Sequence, residues 1–287
     1  MMSEICHPAA DEFSPPLVDR LFVDADYDTI FGDQPQILLT EDSTACHRAE
    51  DYLLQWGGMP ALLSLSDADR YQWLKDYVYT YLERDITDLS RLDDLMPFRK
   101  FERLTALRTG YLLNYSELAR DAGVSVDTAR RYLEYLRLSY QAILLQPYRE
   151  NLTSRVIKTP KIYWLDIGIL RYLTGIPHNI TGQIYETMIV AELFKWMKTA
   201  GRDGDIYFYR TRSGLEIDLI VETRSGIFGV EIKSRQNLAL KDFTGLKEIA
   251  KSFGSRWRGG MVVYPGHILK LMENPQIWAV PSCRLFV

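Results

Sequence analysis

The segment LEIDLIVETRSGIFGVEIKS, residues 215–234, carries Glu216, Asp218, Glu231 and Lys233 at alternate positions of two apolar–polar runs. Alternate residues of a strand share one face, so the charged residues of each run point the same way. A four-residue turn over Thr223–Gly226, with positive φ at Gly226, makes Glu222 and Ile227 the closing pair. In that register Asp218 faces Glu231 and Glu216 faces Lys233, while Ile217, Leu219, Val230 and Ile232 fill the other side. Two carboxylates directly opposed across a ladder repel. A divalent cation turns that cost into a gain, because Mg²⁺ takes hard oxygen ligands from one or two carboxylates plus substrate phosphate. Lys233 would then lie over the metal-bound water or the scissile phosphate, to stabilise developing charge or assist the nucleophile. Glu186, an acid in the otherwise apolar stretch IYETMIVAEL, needs a partner and can complete the shell of the ion. The competing reading of the same four residues is a network of surface ion pairs, Glu216–Lys233 among them.

Such a hairpin needs a sheet and helices around it. Residues 151–287 alternate accordingly: a strand and short helix in RVIKTPKIYWLDIGILRYLTG, an apolar helix in GQIYETMIVAELFKWMK, then three strands from DIYFYR to VEIKS. A helix in LKDFTGLKEIAKSF and a strand in GGMVVYPG follow. The order fits a mixed α/β sheet flanked by helices, with Asp166 as a structural helix cap.

Upstream, residues 99–150 have the pattern of a winged helix-turn-helix. FRKFERLTALRTG is one helix ended by Gly110; SELARDAG is a second, capped by Ser116 and ended by Gly123; VSVDTARRYLEYLRLSY is a third, capped by Ser125. Leu133, Leu136 and Tyr140, with Tyr132 beside them, give its buried face, and AILLQPYRE and KIYWLD read as wing strands. A unit of this kind places the start of its third helix in the major groove, which nominates Ser125, Thr128, Arg130 and Arg131 as DNA-binding residues. Winged helices also serve in protein–protein packing, and Asp127 is unhelpful beside phosphate.

Residues 61–98 read as a helical linker: ADRYQWLKDYVYTYLERDITDLSRL, capped by Asp67, with Tyr71, Leu74, Val78, Tyr81, Leu82, Ile86 and Leu89 as a packing stripe. Residues 1–60 are acidic, weakly periodic and closed by the turn WGGMP. Charge divides the chain: residues 1–98 hold 6 Lys+Arg against 20 Asp+Glu, a net of −14, and residues 99–287 hold 28 against 18, a net of +10. The basic part can face a polyanion, or the two surfaces can attract each other. No apolar run is long enough to span a bilayer and the first residues lack a secretory pattern, so no membrane partner is expected. Three scattered cysteines, Cys6, Cys46 and Cys283, point to a reducing cytoplasm. The adjacent pairs Cys6-His7 and Cys46-His47 lack the spacer of a zinc site.

Glu186 on a helix, Asp218 in a strand and Glu231-Ile-Lys233 on the next resemble the PD-(D/E)XK nuclease superfamily. As a set, GGMP, YVYTYLERDI, LLNYSELARDAGVSVDTARRYLEYL, KTPKIYWLDIGIL, GQIYETMIVAEL, YRTRSGLEIDLIV and EIKS resemble the C-terminal region of a family of prokaryotic AAA-type ATPases over residues 50–260. The resemblance implies a winged helix followed by a nuclease-like domain of unknown function. It implies Glu186, Asp218 and Glu231 as metal ligands, Asp218, Glu231 and Lys233 as catalytic residues, and Mg²⁺ (or Mn²⁺) as cofactor. The family's P-loop domain has no counterpart here: G-x-x-x-x-G-K-[ST] is missing, so the chain is expected to carry no ATP site and not to hydrolyse ATP on its own. Residues 1–60 then resemble the tail of such a domain. The partners expected are DNA and a separate ATPase chain or a second copy. The alternative is a non-catalytic DNA- or protein-binding module of a truncated ATPase.

Overall fold

The computed structural model describes residues 17–19, 31–32, 34–82, 84, 95–148, 158–176, 179–201, 203–273 and 276–286. These fall into two compact units, and the chain passes between them more than once. One unit draws on Tyr52–Leu145 and Thr159–Ala191; the other draws on the described residues of Met1–Asp51, Gln146–Lys158 and Glu192–Val287. Compactness therefore divides the chain differently from the linear series 1–60, 61–98, 99–150 and 151–287.

The first unit is mainly helical. It holds the end of α1 (Thr40–Trp56), α2 (Asp67–Asp76), a π-helical turn at Tyr77–Leu82, α3 (Met96–Ala106), α4 (Tyr115–Ala122) and α5 (Val126–Leu138). The start of β1 (Ala142–Pro147) pairs antiparallel with β2 (Lys161–Trp164), and α6 (Ile167–Thr174) and the first half of α7 (Gly182–Thr199) complete the unit. The three helices and the two strands thus appear in the expected order. Ser125 caps α5 as expected, accepting the Thr128 N–H at 3.1 Å, and Gly123 ends α4 at φ 77°.

Three expectations shift. The cap of α4 is Asn114, accepting from the Glu117 N–H, so Ser116 lies inside the helix. The cap of α2 is Ser66, not Asp67, because its side chain reaches the Asp69 N–H. On α5 the buried residues are Ala129, Tyr132, Leu133 and Leu136, whereas Tyr140 lies beyond the helix at φ 54° and is 76% exposed. A residue that leaves helical geometry also leaves the helical stripe. Of the linker stripe, Leu74 and Val78 are buried but Tyr71 is exposed, and Ile86 and Leu89 fall outside the described residues.

The WGGMP turn has a definite task. Asp166 caps α6 through the Ile169 N–H at 3.0 Å and also accepts the Gly58 N–H at 2.8 Å. Gly57 takes φ 77°, and buried Arg171 donates to the Leu54 carbonyl at 2.9 Å. The end of α1 is thereby hydrogen-bonded to the start of α6.

The second unit is built on a mixed sheet. The end of β1 pairs parallel with β3 (Gly204–Arg210), which runs antiparallel to β4 (Glu216–Thr223), itself antiparallel to β5 (Gly226–Ile232). Parallel to β5 lies β6 (Trp257–Tyr264), then β8 (Ile277–Pro281), with β7 (Lys270–Glu273) antiparallel at the edge. Helix α8 (Thr244–Phe253) packs Leu246, Ile249 and Phe253 against Ile217, Ile220, Ile227, Val262 and Ile277. The short helix α9 (Ser282–Leu285) closes the chain, and Arg284 reaches the Pro35 carbonyl at 2.7 Å. The mixed α/β class holds.

Candidate metal and nucleic-acid sites

The β4–β5 register is the expected one: Glu222↔Ile227, Val221↔Phe228, Ile220↔Gly229 and Leu219↔Val230. The turn is tighter than expected, since Thr223 and Gly226 themselves pair and only Arg224 and Ser225 form the bend. Ile217, Leu219, Val230 and Ile232 are all buried. They fix which face the charged residues take, because a strand cannot turn one side chain without turning its neighbours.

The ladder reaches Leu219↔Val230, and just past it Asp218 intervenes. Its carboxylate accepts the Ile232 N–H at 2.7 Å. The Lys233 N–H bonds the Val263 carbonyl of β6 at 2.9 Å, which seats the lysine at the end of β5. Its ammonium lies 2.5 Å from Glu231 Oε1. Burial pulls the Lys233 pKa down, but the Glu231, Asp218 and Asp242 carboxylates outweigh it and hold the pKa above the ordinary lysine value. Asp218, Glu231 and Lys233 are therefore gathered at one place. Glu216 is not paired with Lys233; it faces Arg210 across β3 and lies 3.4 Å from its Nε.

Sequence reasoning missed two neighbours. Asp242 is buried at the 3₁₀ turn before α8, accepts the Ala239 N–H at 2.7 Å and forms an ion pair with Arg235. Burial raises its pKa, but the Arg235 hydrogen bond, the Ala239 N–H and the charges of Arg235 and Lys233 prevail and hold it below the usual carboxylate range. The available signal was only a cation two residues past Lys233 and an acid in LKDF. A depressed carboxyl contributes stability above its unfolded value of about 3.9, lost as pH falls through the folded value. Asp242→Asn should therefore lower the melting temperature at neutral pH and narrow its gap to the native protein below pH about 3. Melting curves from neutral to acid pH check this.

Glu186 belongs to the helical unit. There it accepts from the Tyr163 hydroxyl at 2.5 Å and lies 3.4 Å from the buried Lys161 ammonium. The partner that a half-buried acid needs is thus supplied by β2. Among the described residues no three His, Cys, Asp or Glu side chains form a group able to hold a metal ion. Of other basic residues in the unit with the hairpin, Lys195 pairs with Glu192 and Arg210 with Glu216, while Arg212 and Lys251 are exposed.

In the helical unit, Ser125, Arg130 and Arg131 are exposed and Thr128 is half-buried. The Arg130 guanidinium lies 4.6 Å from the centroid of the Tyr115 ring, which holds the arginine against α4. Arg108 ties α4 in place through Glu117 at 2.9 Å and Asp121 at 2.6 Å.

Two family models divide the chain just before α7. Residues 47–179 match a domain of unknown function, DUF8612. Residues 181–284 match a second, DUF4143. The DUF4143 match contains the whole hairpin with Asp218, Glu231 and Lys233, and also Glu186; the DUF8612 match contains the three helices and β1–β2. The chain is 32% identical over 251 residues to the uncharacterized protein Rv2008c of Mycobacterium tuberculosis, and equally to the uncharacterized protein Mb2031c of Mycobacterium bovis. The match takes in 83% of this chain and 54% of each relative, so the chain spans about half their length. No solved structure matches. No helix among the described residues is long and apolar enough to cross a membrane.

Proposed function

We propose that the chain is a DNA-binding protein whose DUF4143 region hydrolyses phosphodiesters with a divalent ion, and whose α3–α5 and β1–β2 form a winged helix-turn-helix. The observation that carries this reading is the gathering of Asp218, Glu231 and Lys233 at the end of one hairpin. Asp218 and Glu231 supply the hard carboxylate oxygens that Mg²⁺ or Mn²⁺ takes, and two carboxylates with substrate phosphate suffice for such an ion. They would hold it, and when bound it supplies Lewis-acid polarisation of the phosphoryl oxygen. Lys233 has its own role. Its pKa lies above the ordinary value, about 10.4, so it stays charged at neutral pH. It stabilises negative charge developing on the phosphate rather than accepting a proton. The salt link to Glu231 and the bond from its own N–H to Val263 aim it.

DNA would be held by the exposed face of α5. Arg130 and Arg131 meet phosphate, and Ser125 and Thr128 lie at the helix start, where base edges are read. Replacing both arginines by alanine should weaken duplex binding and lower the slope of log affinity against log salt by about 2. Fluorescence anisotropy on a labelled duplex across a salt series measures it. A cytoplasmic setting and an ATPase partner or second copy complete the proposal.

A second reading, a non-catalytic binding module, is favoured by the Tyr163 and Lys161 contacts that engage Glu186. Incubation of the purified chain with supercoiled, linear, branched and single-stranded DNA in Mg²⁺ or Mn²⁺ separates the two. Metal-dependent cleavage of any form supports the nuclease; none with every form supports the module.

A further inference from the structure

Tyr71 and Tyr79 of the linker helix are not core residues. Leu74 and Val78 are buried, but Tyr71 is 57% exposed and Tyr79 48% exposed. Both face Tyr172 of α6, with ring centroids 5.6 Å and 6.5 Å from it. Tyr79 is carried by the π-helical turn, a rare geometry that recurs at functional sites. Two clefts beside these rings, of about 220 Å³ and about 300 Å³, share Tyr71, Tyr172 and Gly175, and Tyr79 lines the smaller. The larger lies at the lower end of ordinary small-molecule sites, roughly 300–1,000 Å³, and the smaller carries Arg99, Glu102 and Arg103.

The lining combines flat rings with charge. The Arg99 guanidinium lies 5.2 Å from the Tyr79 centroid, and Arg103 is fixed at the rim by its Nε–H bond to the Leu173 carbonyl at 3.2 Å. Glu102, 2% exposed, lines the same cleft. Burial first, then Tyr79, Tyr71 and Asp76, push the Tyr172 hydroxyl up to about 12, so it remains a hydrogen-bond donor at neutral pH.

We infer that this cleft binds a nucleotide, its base lying against the exposed ring of Tyr71 or Tyr79 and its phosphate held by Arg99 and Arg103. Aromatic faces with neighbouring guanidinium groups are what nucleobases stack on. Guanidinium forks suit phosphate. A carboxylate such as Glu102 accepts from an exocyclic amine, which favours adenine or cytosine. The site is separate from the hairpin, and neither proposal depends on the other.

Calorimetric titration of the full chain with AMP, and separately with an oligo(dA) of roughly ten nucleotides, tests the assignment. AMP should bind, and Tyr71→Ala and Tyr79→Ala should each weaken it between about fivefold and a hundredfold. Both side chains are exposed, so circular dichroism and melting temperature should stay native in these variants. Arg99→Gln should weaken AMP more than adenosine. Oligo(dA) binding without AMP binding, lost in the double tyrosine variant, keeps the stack and assigns the base to a single strand. No heat with either probe at millimolar concentration overturns the inference, as does equal binding by the double tyrosine variant.

Discussion

Asp218→Asn should abolish metal-dependent DNA cleavage while leaving the hairpin folded. Asparagine keeps an oxygen for the Ile232 N–H, now 2.7 Å from the aspartate, so the local hydrogen bond survives. What is lost is the charge that acts on Lys233 and that, in the proposed function, would help to hold a cation. Removing one electrostatic contributor to a reacting centre costs about 10²–10³ in rate, and losing an ion ligand should cost at least that. Lys233→Met should fall in the same range without abolishing metal binding. Cleavage time courses read the rates, and circular dichroism confirms the fold. A variant with asparagine at 218 that cuts at the native rate would remove Asp218 from the site.

Gly168→Ala should be the most destabilising single-methyl change in the helical unit. A Cβ on Gly168 would lie 2.0 Å from the Trp56 carbonyl oxygen and 2.8 Å from its carbon, and those are backbone atoms that no rotamer change can move. The neighbouring approach is also tight: a Cβ on Gly57 would lie 2.4 Å from Asp166 Oδ1, at a φ of 77° that only glycine takes cheaply. Separating α6 from the end of α1 would also strain the Asp166–Gly58 and Arg171–Leu54 hydrogen bonds. Overpacking of this severity costs about 3 kcal/mol. Urea unfolding followed by tryptophan fluorescence measures the loss, and the transition of the helical unit should be the one that moves.

The hairpin was legible because its information is local. A strict period of two and one glycine at the turn determine both faces and the register, and the structure reproduces each pair from Glu222↔Ile227 to Leu219↔Val230. The caps at Ser125 and Asp166 were legible for the same reason: a short polar side chain before an apolar helix has one obvious acceptor task. Partners from distant sequence were not legible. Arg210, not Lys233, faces Glu216, because β3 lies beside β4 and no local pattern specifies that neighbour. Glu186 finds Tyr163 and Lys161 more than twenty positions upstream. Strands β7 and β8 and helix α9 escaped notice, since Lys270–Glu273 and Ile277–Pro281 are short and lack a clear alternation. Tyr71 in the packing stripe misled for a different reason: helical spacing shows that residues share a face, not that the whole face is covered.

The central claim is that Asp218 and Glu231 hold a divalent ion. A ligand that binds only the folded state raises its stability, by about 2.7 kcal/mol at a hundred times its dissociation constant. The direct measurement is the melting temperature of the native protein and of Asp218→Asn, each with and without millimolar Mg²⁺. The account expects a rise in the native protein and none in the variant. No rise in the native protein, or an equal rise in both, would contradict it.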